Sequence, residues 1–129
     1  MDTRVVARYR NGRLIKGTTN NFLPSRERFN LTTADRKMFS LRITDLKALF
    51  FVKSFLGDRA YNENQAFGNQ FVPGRKLRCE FQDGEVLVGS SDGPAHPALG
   101  FFLVPADPKS NNLKVFVVAS SVRRIALAG

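Results

Sequence analysis

The chain has one cysteine, one histidine and no tryptophan in 129 residues, and 11 acidic side chains against 20 basic ones. Each scarcity excludes something. Cys79 alone cannot form an internal disulfide, so packing must hold the fold together. His96, between Ala95 and Pro97, has no second histidine or cysteine to share a metal, which argues against zinc. No histidine stands beside Cys79 in sequence to activate it, and its inward place next to Phe81 reads as a buried, inert thiol. No glycine-rich phosphate loop, carboxylate pair or serine elbow occurs, so neither an enzyme nor a cofactor is expected. No apolar run approaches the ~20 residues of a membrane span. The stretch Met1 to Arg8 has no apolar segment of the signal-peptide kind, and a cytoplasmic protein is the expectation.

What is present is a repeated β pattern. Tyr9-Arg10-Asn11-Gly12-Arg13-Leu14-Ile15-Lys16-Gly17 returns as Phe81-Gln82-Asp83-Gly84-Glu85-Val86-Leu87-Val88-Gly89. Each copy is an apolar strand end, an Asn-Gly or Asp-Gly pair, a second apolar strand and a glycine. Asn-Gly and Asp-Gly favour a two-residue type I′ hairpin. That turn pairs Tyr9 with Leu14, Arg8 with Ile15 and Ala7 with Lys16. Tyr9 and Leu14 are then core, Lys16 is a rim residue with a buried stem, and Arg8, Arg10 and Arg13 stand together outside. The copies align at an offset of 72 residues (Gly12 on Gly84, Phe29 on Phe101, Asp35 on Asp107). Four extra residues around Pro108 to Asn111 shift the offset to 76, matching Leu41 with Val117 and Leu49 with Ile125. The agreement reads as an internal duplication.

Further strands follow from period-two alternation. One begins at Phe29-Asn30-Leu31. Ala34 to Lys37 is a turn, Phe39, Leu41 and Ile43 mark a fourth strand, and Thr44-Asp45-Leu46 is a corner that a single 3₁₀ turn would serve. Lys47 to Val52 is a fifth strand, and its Phe50-Phe51 pair predicts burial on both sides. Residues 53–76 belong to neither copy, and 58–66 could form a helical turn. Phe55, Phe67 and Phe71 are too apolar for a free linker, so this segment is expected to pack on the β units.

A unit of about 50 residues with five short strands and an early hairpin suits a small bent barrel. Each half resembles the Sm/SH3-like barrel family. The spacing Asn11-Gly12-Arg13-x-x-x-Gly17 is similar to the first Sm motif, and Ser120-Ser121-Val122-Arg123-Arg124-Ile125 sits where the second lies. The Sm glycine before the last strand is replaced here, and the Asp-x-x-x-Asn element that holds RNA bases is absent after Phe29. The resemblance therefore implies a fold without an RNA site. The whole chain also resembles an uncharacterised bacterial family of tandem β units, found alone or beside PilZ and receiver domains. The expected architecture is all-β: two duplicated small barrels, over 1–52 and 77–129 with a packed connecting segment over 53–76, or one pseudo-symmetric β domain built from both. Neither copy is large enough to be stable alone.

Charge divides the copies. Residues 1–52 carry 11 Lys/Arg against 4 Asp/Glu, whereas residues 77–129 carry 5 against 5. Arg8, Arg10 and Arg13, extended by Arg26 and Arg28, are either neutralised by Asp35, Asp45 or Glu27, or form a site for a phosphate or carboxylate. The second copy has Glu80, Gln82 and Glu85 at the places of the first three. Arg4 and Arg8 fit the Arg-x-x-x-Arg half of the PilZ signature, but its other half is missing. Two functions fit: a non-enzymatic binding or adaptor module acting on a protein partner in bacterial signalling or regulation, or nucleic-acid binding through the basic first half.

Overall fold

The computed structural model describes residues 2–56, 67, 74–91 and 99–128. The helical turn considered over 58–66, Phe71 and the loop around His96 lie outside these residues. The first copy forms β1 (Thr3–Tyr9), β2 (Leu14–Thr19), β3 (Arg28–Thr32), β4 (Met38–Arg42) and β5 (Leu46–Val52). The second forms β6 (Arg75–Phe81), β7 (Val86–Ser91), β8 (Gly100–Pro105), β9 (Asn112–Val118) and β10 (Val122–Leu127). A single 3₁₀ turn precedes the last strand of each copy, Ile43–Asp45 and Ala119–Ser121. No described helix is long and apolar enough to cross a membrane.

The expected pair of closed barrels does not form. All ten strands join one open antiparallel sheet, in the order β10-β6-β7-β8-β9-β5-β1-β2-β3-β4. Each copy keeps the same internal order, with its last strand beside its first. The copies meet where β9 of the second pairs with β5 of the first: Ala48 with Val117, Leu49 with Phe116 and Phe50 with Val115.

That central ladder is buried on both faces. Side chains alternate along a strand. Leu49 and Phe51 therefore join Phe116 and Val118 in the core of the first copy, with Val5, Phe29 and Leu31. Ala48, Phe50 and Val52 join Val115 and Val117 in the core of the second, with Cys79, Phe81 and Leu103. The expected two-sided burial of Phe50-Phe51 is observed, and its cause is that each copy lends a strand to the other's core. Phe22 spans the same boundary from the 20–27 loop. Its ring meets Phe29 and Phe51 of the first copy and Phe102 and Phe116 of the second edge-on, at centroid distances of 5.0–6.1 Å.

The hairpins differ from expectation by one residue. Tyr9 N donates to the Arg13 carbonyl (2.8 Å) and Gly12 N to the Tyr9 carbonyl (3.1 Å), and Gly12 has φ +92°. Asn11 does not enter the left-handed region. This is a three-residue loop closed by glycine, an alternative that Asn-Gly serves equally well. Asn11 Oδ1 instead accepts the Arg13 amide at 3.0 Å. The second hairpin repeats it with Gly84 at φ +92° and Asp83 Oδ1 accepting the Glu85 amide at 2.9 Å. A one-residue change of register exchanges the faces. Arg8 now opposes Leu14, Ala7 opposes Ile15 and Val6 opposes Lys16. Leu14, expected in the core, is 48% exposed, and Lys16 leaves the core face. Arg10 and Arg13 are no longer a cross-strand pair. The repeated glycines Gly17 and Gly89 have a steric reason. A Cβ at Gly17 would fall on the Leu31 side chain and the Thr32 carbonyl, and one at Gly89 on Leu103 and the Val104 carbonyl.

One charge is buried at the junction. Lys47, at the start of β5, is 4% exposed. Its Nζ donates to Asp83 Oδ2 at 2.7 Å and to Glu85 Oε1, both on the second hairpin, and lies 4.7 Å from the Phe81 ring centroid. Ser121 Oγ donates to the Lys47 carbonyl at 2.7 Å. Burying an ammonium is unfavourable unless it is paired and hydrogen-bonded. The Lys47 hydrogen bond, helped by the Glu85 amide, holds the Asp83 carboxyl below its ordinary value of 3.8.

Two outcomes follow from this packing. Phe116→Ala should cost about 3–5 kcal/mol, although Phe116 belongs to the second copy and fills the core of the first. Unfolding should remain one transition, with hydrogen exchange in β3 and β7 lost together; two separate transitions would contradict a shared core. The lowered carboxyl of Asp83 contributes stability that is full above its ordinary value and fades as pH falls through the lower folded value. Denaturant titrations of wild type and Lys47→Met should therefore differ by about 2 kcal/mol near neutrality, less than for a fully buried pair because both carboxylates are partly exposed. The advantage that Asp83 gives the wild type should shrink as pH falls below its ordinary 3.8 and on through its lower folded value.

Candidate functional site

The corrected register builds a groove between the copies. Val6 and Arg8 of β1 share a face with Leu14 and Lys16 of β2, and β5 continues that face with Phe50 and Val52. Phe55, with Glu85, Leu87 and Asn112 of the second copy, completes the lining. The groove encloses about 420 Å³, within the usual size of ligand clefts.

Its polar groups are few and unequal in charge. Arg8 lies with its guanidinium carbon 5.7 Å from the Phe50 ring centroid, and its Nε is buried with no hydrogen-bond partner. A buried donor left unbonded costs free energy. Lys16 Nζ donates to the Phe55 carbonyl at 3.2 Å. Glu85 is the carboxylate of this lining, and Lys47 already holds it. The groove therefore offers two cations over an apolar floor, with an acid only at its rim.

The five arginines singled out from sequence do not form one patch. Arg8 lines the groove. Arg10 is at the first hairpin, where its Nη2 donates to the Thr44 carbonyl at 2.6 Å. Arg13 is exposed at the start of β2. Arg26 sits in the loop before β3, its amide donating to the Leu23 carbonyl at 3.1 Å. Arg28 opens β3 and stands directly opposite Arg42 of β4. Among the described residues no ion pair joins any of the five to a carboxylate. Asp35, one of the expected neutralising acids, pairs instead with Lys37 at 3.8 Å and accepts from Thr33. The second copy does neutralise its cations: Arg123 and Arg124 both reach Glu80 at 3.5 Å.

Three side chains that shape these surfaces are not singled out by the sequence. Lys16 was placed on the wrong face by the turn. Arg42 falls on the outward side of the strand marked by Phe39, Leu41 and Ile43, yet it faces another arginine where its counterpart in the second copy is Val118. Lys47 could have been found as a lone charge inside an otherwise apolar strand. Arg4 donates to the Lys53 carbonyl at 2.9 Å, apart from the groove lining. Burial pushes the Cys79 thiol up to about 11, so it carries almost no thiolate near neutrality. No group of three or more His, Cys, Asp or Glu able to hold a metal ion occurs among the described residues.

No curated protein and no solved structure matches the chain. A sequence family does match, over residues 1–129, and by that full-length match the chain belongs to DUF6982, a family of unknown function.

Proposed function

We propose that the chain is a non-enzymatic binding module, an adaptor in bacterial signalling or regulation, that seats an acidic segment of a protein partner in the groove between its two copies. The observation that carries this reading is the Arg8 guanidinium, whose buried Nε has no partner while Lys16 stands beside it over an apolar floor. A carboxylate entering there would satisfy the donor with a charge-assisted bond, and apolar neighbours of that carboxylate would cover Val6, Phe50 and Val52. The non-enzymatic part rests on the suppressed thiolate of Cys79 and on a groove whose acid is already bound by Lys47. Within this reading each copy is an open relative of the Sm/SH3-like architecture, supported by its early hairpin, the glycine of its second strand and its 3₁₀ turn.

Nucleic-acid binding is the second reading. It is favoured by Arg10, Arg13, Arg26 and Arg28, which lie outside the groove and have no acidic partner among the described residues. It predicts affinity dominated by phosphate contacts and steep loss with salt.

Fluorescence anisotropy separates the two. The probes are a labelled peptide of alternating Glu and Leu/Phe, single-stranded RNA and duplex DNA, each at low and physiological salt. The peptide should bind at physiological salt, and Arg8→Gln/Lys16→Gln should weaken it at least tenfold, equivalent to about 1.4 kcal/mol and within the value of one charge-assisted hydrogen bond. RNA or DNA binding that survives physiological salt and is lost in Arg10→Glu/Arg13→Glu would replace this reading with the second. Failure of all three probes at low salt would remove both.

A further inference from the structure

The duplication leaves one copy of its own junction unfilled. Inside the chain, β9 is an acceptor edge and β5 the strand it accepts. By the offset of 76, β4 is the counterpart of β9 and β10 the counterpart of β5. The sheet ends on these two strands. Among the described residues β4 therefore has β3 on one side and no strand on the other. Phe39 shows what is missing: it is 41% exposed, while its counterpart Val115, covered by β5, is 1% exposed.

Two occupants could fill that edge: β10 of a second copy, or a strand of another protein. Charge decides between them. In the filled junction the incoming strand brings Lys47 to Asp83 and Glu85 on the acceptor's hairpin. In the first copy the counterparts of those acids are Asn11 and Arg13. One step beyond the Ala48–Val117 pair, the acceptor strand ends on Val118, whose counterpart is Arg42, and Arg42 already opposes Arg28. A second copy would present Arg123, the counterpart of Lys47, and Arg124 to these arginines, with the one carboxylate of Glu80 shared between the two and so a net positive charge. Asp45 and Glu27 are the acids of this corner, and neither is ion-paired to an arginine among the described residues. Like charges set opposite one another on a sheet are destabilising, and unpaired edges are competent to add a strand.

We propose that the free edge of β4 accepts an extended segment of a different, acidic protein as an eleventh strand. Its carboxylate takes the position that Lys47 occupies in the internal junction, facing Arg13, the counterpart of Glu85, at the end of the strand that carries Arg42. Its alternate apolar residues take the positions of Ala48, Phe50 and Val52 and cover Phe39 and Leu41. This inference shares an acidic protein partner with the function proposed above, but its site is separate. The groove is built on β1, β2 and β5, and the edge is at the end of the sheet.

The test uses two peptides with glycine-serine ends, Leu-Glu-Ala-Thr-Phe-Thr-Val and its twin with Lys in place of Glu. They copy β5 with Leu49 and Phe51 changed to threonine, because position 49 would meet Ser40 where β9 has Phe116, and position 51 would meet the exposed Met38 where β9 has Lys114. The Glu peptide should bind the full chain at least tenfold tighter than its twin at low salt and should slow hydrogen exchange in 38–42 without slowing it in 122–127. Arg13→Glu/Arg42→Glu should reverse the preference, and Arg8→Gln/Lys16→Gln should leave it unchanged. Loss of binding in Arg8→Gln/Lys16→Gln would place the peptide in the groove and overturn the edge assignment while sparing the groove reading. Equal binding of the twins, or none by either, would overturn it as well. Concentration-dependent oligomers with residues 38–42 protected in the absence of peptide would show that the occupant is a second copy.

Discussion

The pairing of β5 with β9 is the constraint on which the rest of this molecule depends. A two-stranded ladder buried on both faces has no solvent side, so every residue of β5 from Leu46 to Val52 is buried, Lys47 included. The first copy cannot complete its core without Phe116 and Val118, and the second cannot complete its own without Ala48, Phe50 and Val52. Two units of about 50 residues, each too small to bury enough surface alone, become one cooperative body by exchanging one strand's worth of side chains. The single buried ammonium follows from the same geometry. Lys47 starts the shared strand beside the second hairpin, and the acids at Asp83 and Glu85 are what make its burial tolerable.

That requirement explains why duplicated hairpins carry opposite charge. The second hairpin faces a buried cation and holds Asp83 and Glu85. The first faces no such cation and has Asn11 and Arg13 at the same places. The second copy also pairs Arg123 and Arg124 with Glu80, while among the described residues no ion pair joins Arg8, Arg13, Arg26, Arg28 or Arg42 to a carboxylate, and Arg8 acts on Asp83 only through space. Unpaired arginines opposed across a ladder, and a buried guanidinium nitrogen with no acceptor, are costs that a carboxylate from outside would remove.

Much of the backbone was legible in the sequence. The duplication, the strand positions, the first 3₁₀ corner and the two-sided burial of Phe50-Phe51 follow from period-two alternation and from the matched glycines. The hairpin register was not legible, because Asn-Gly closes a two-residue loop and a three-residue loop with equal ease. Which one forms depends on where Tyr9 and Leu14 can pack, and that is a tertiary matter. One residue of slip moved Leu14 and Lys16 from core to groove. Closure into barrels was expected because a single copy taken alone has no other way to hide its last strand. The β5–β9 ladder joins segments more than sixty positions apart, and no local pattern announces it. Arg42 was invisible for the same reason, since its meaning appears only when it is set against Val118 and opposite Arg28.

The comparison of internal and terminal strands also says why the array stops at two. Where the junction is filled, β9 presents Phe116 and Val118, and β5 presents Lys47 and Ala48. At the sheet's ends the matching residues are Ser40 and Arg42 on β4, and Arg123 and Arg124 on β10. Apolar contacts that would let a further copy join have been replaced by polar and cationic ones, and the replacements at the two ends have the same sign. An edge protected in this way resists its own kind at both ends while remaining open to a strand of opposite charge. Solubility alone would be served by any charge on either edge. Arginine on both edges, offset on β10 by the single Glu80, is the feature that makes an acidic strand the occupant proposed for the β4 edge.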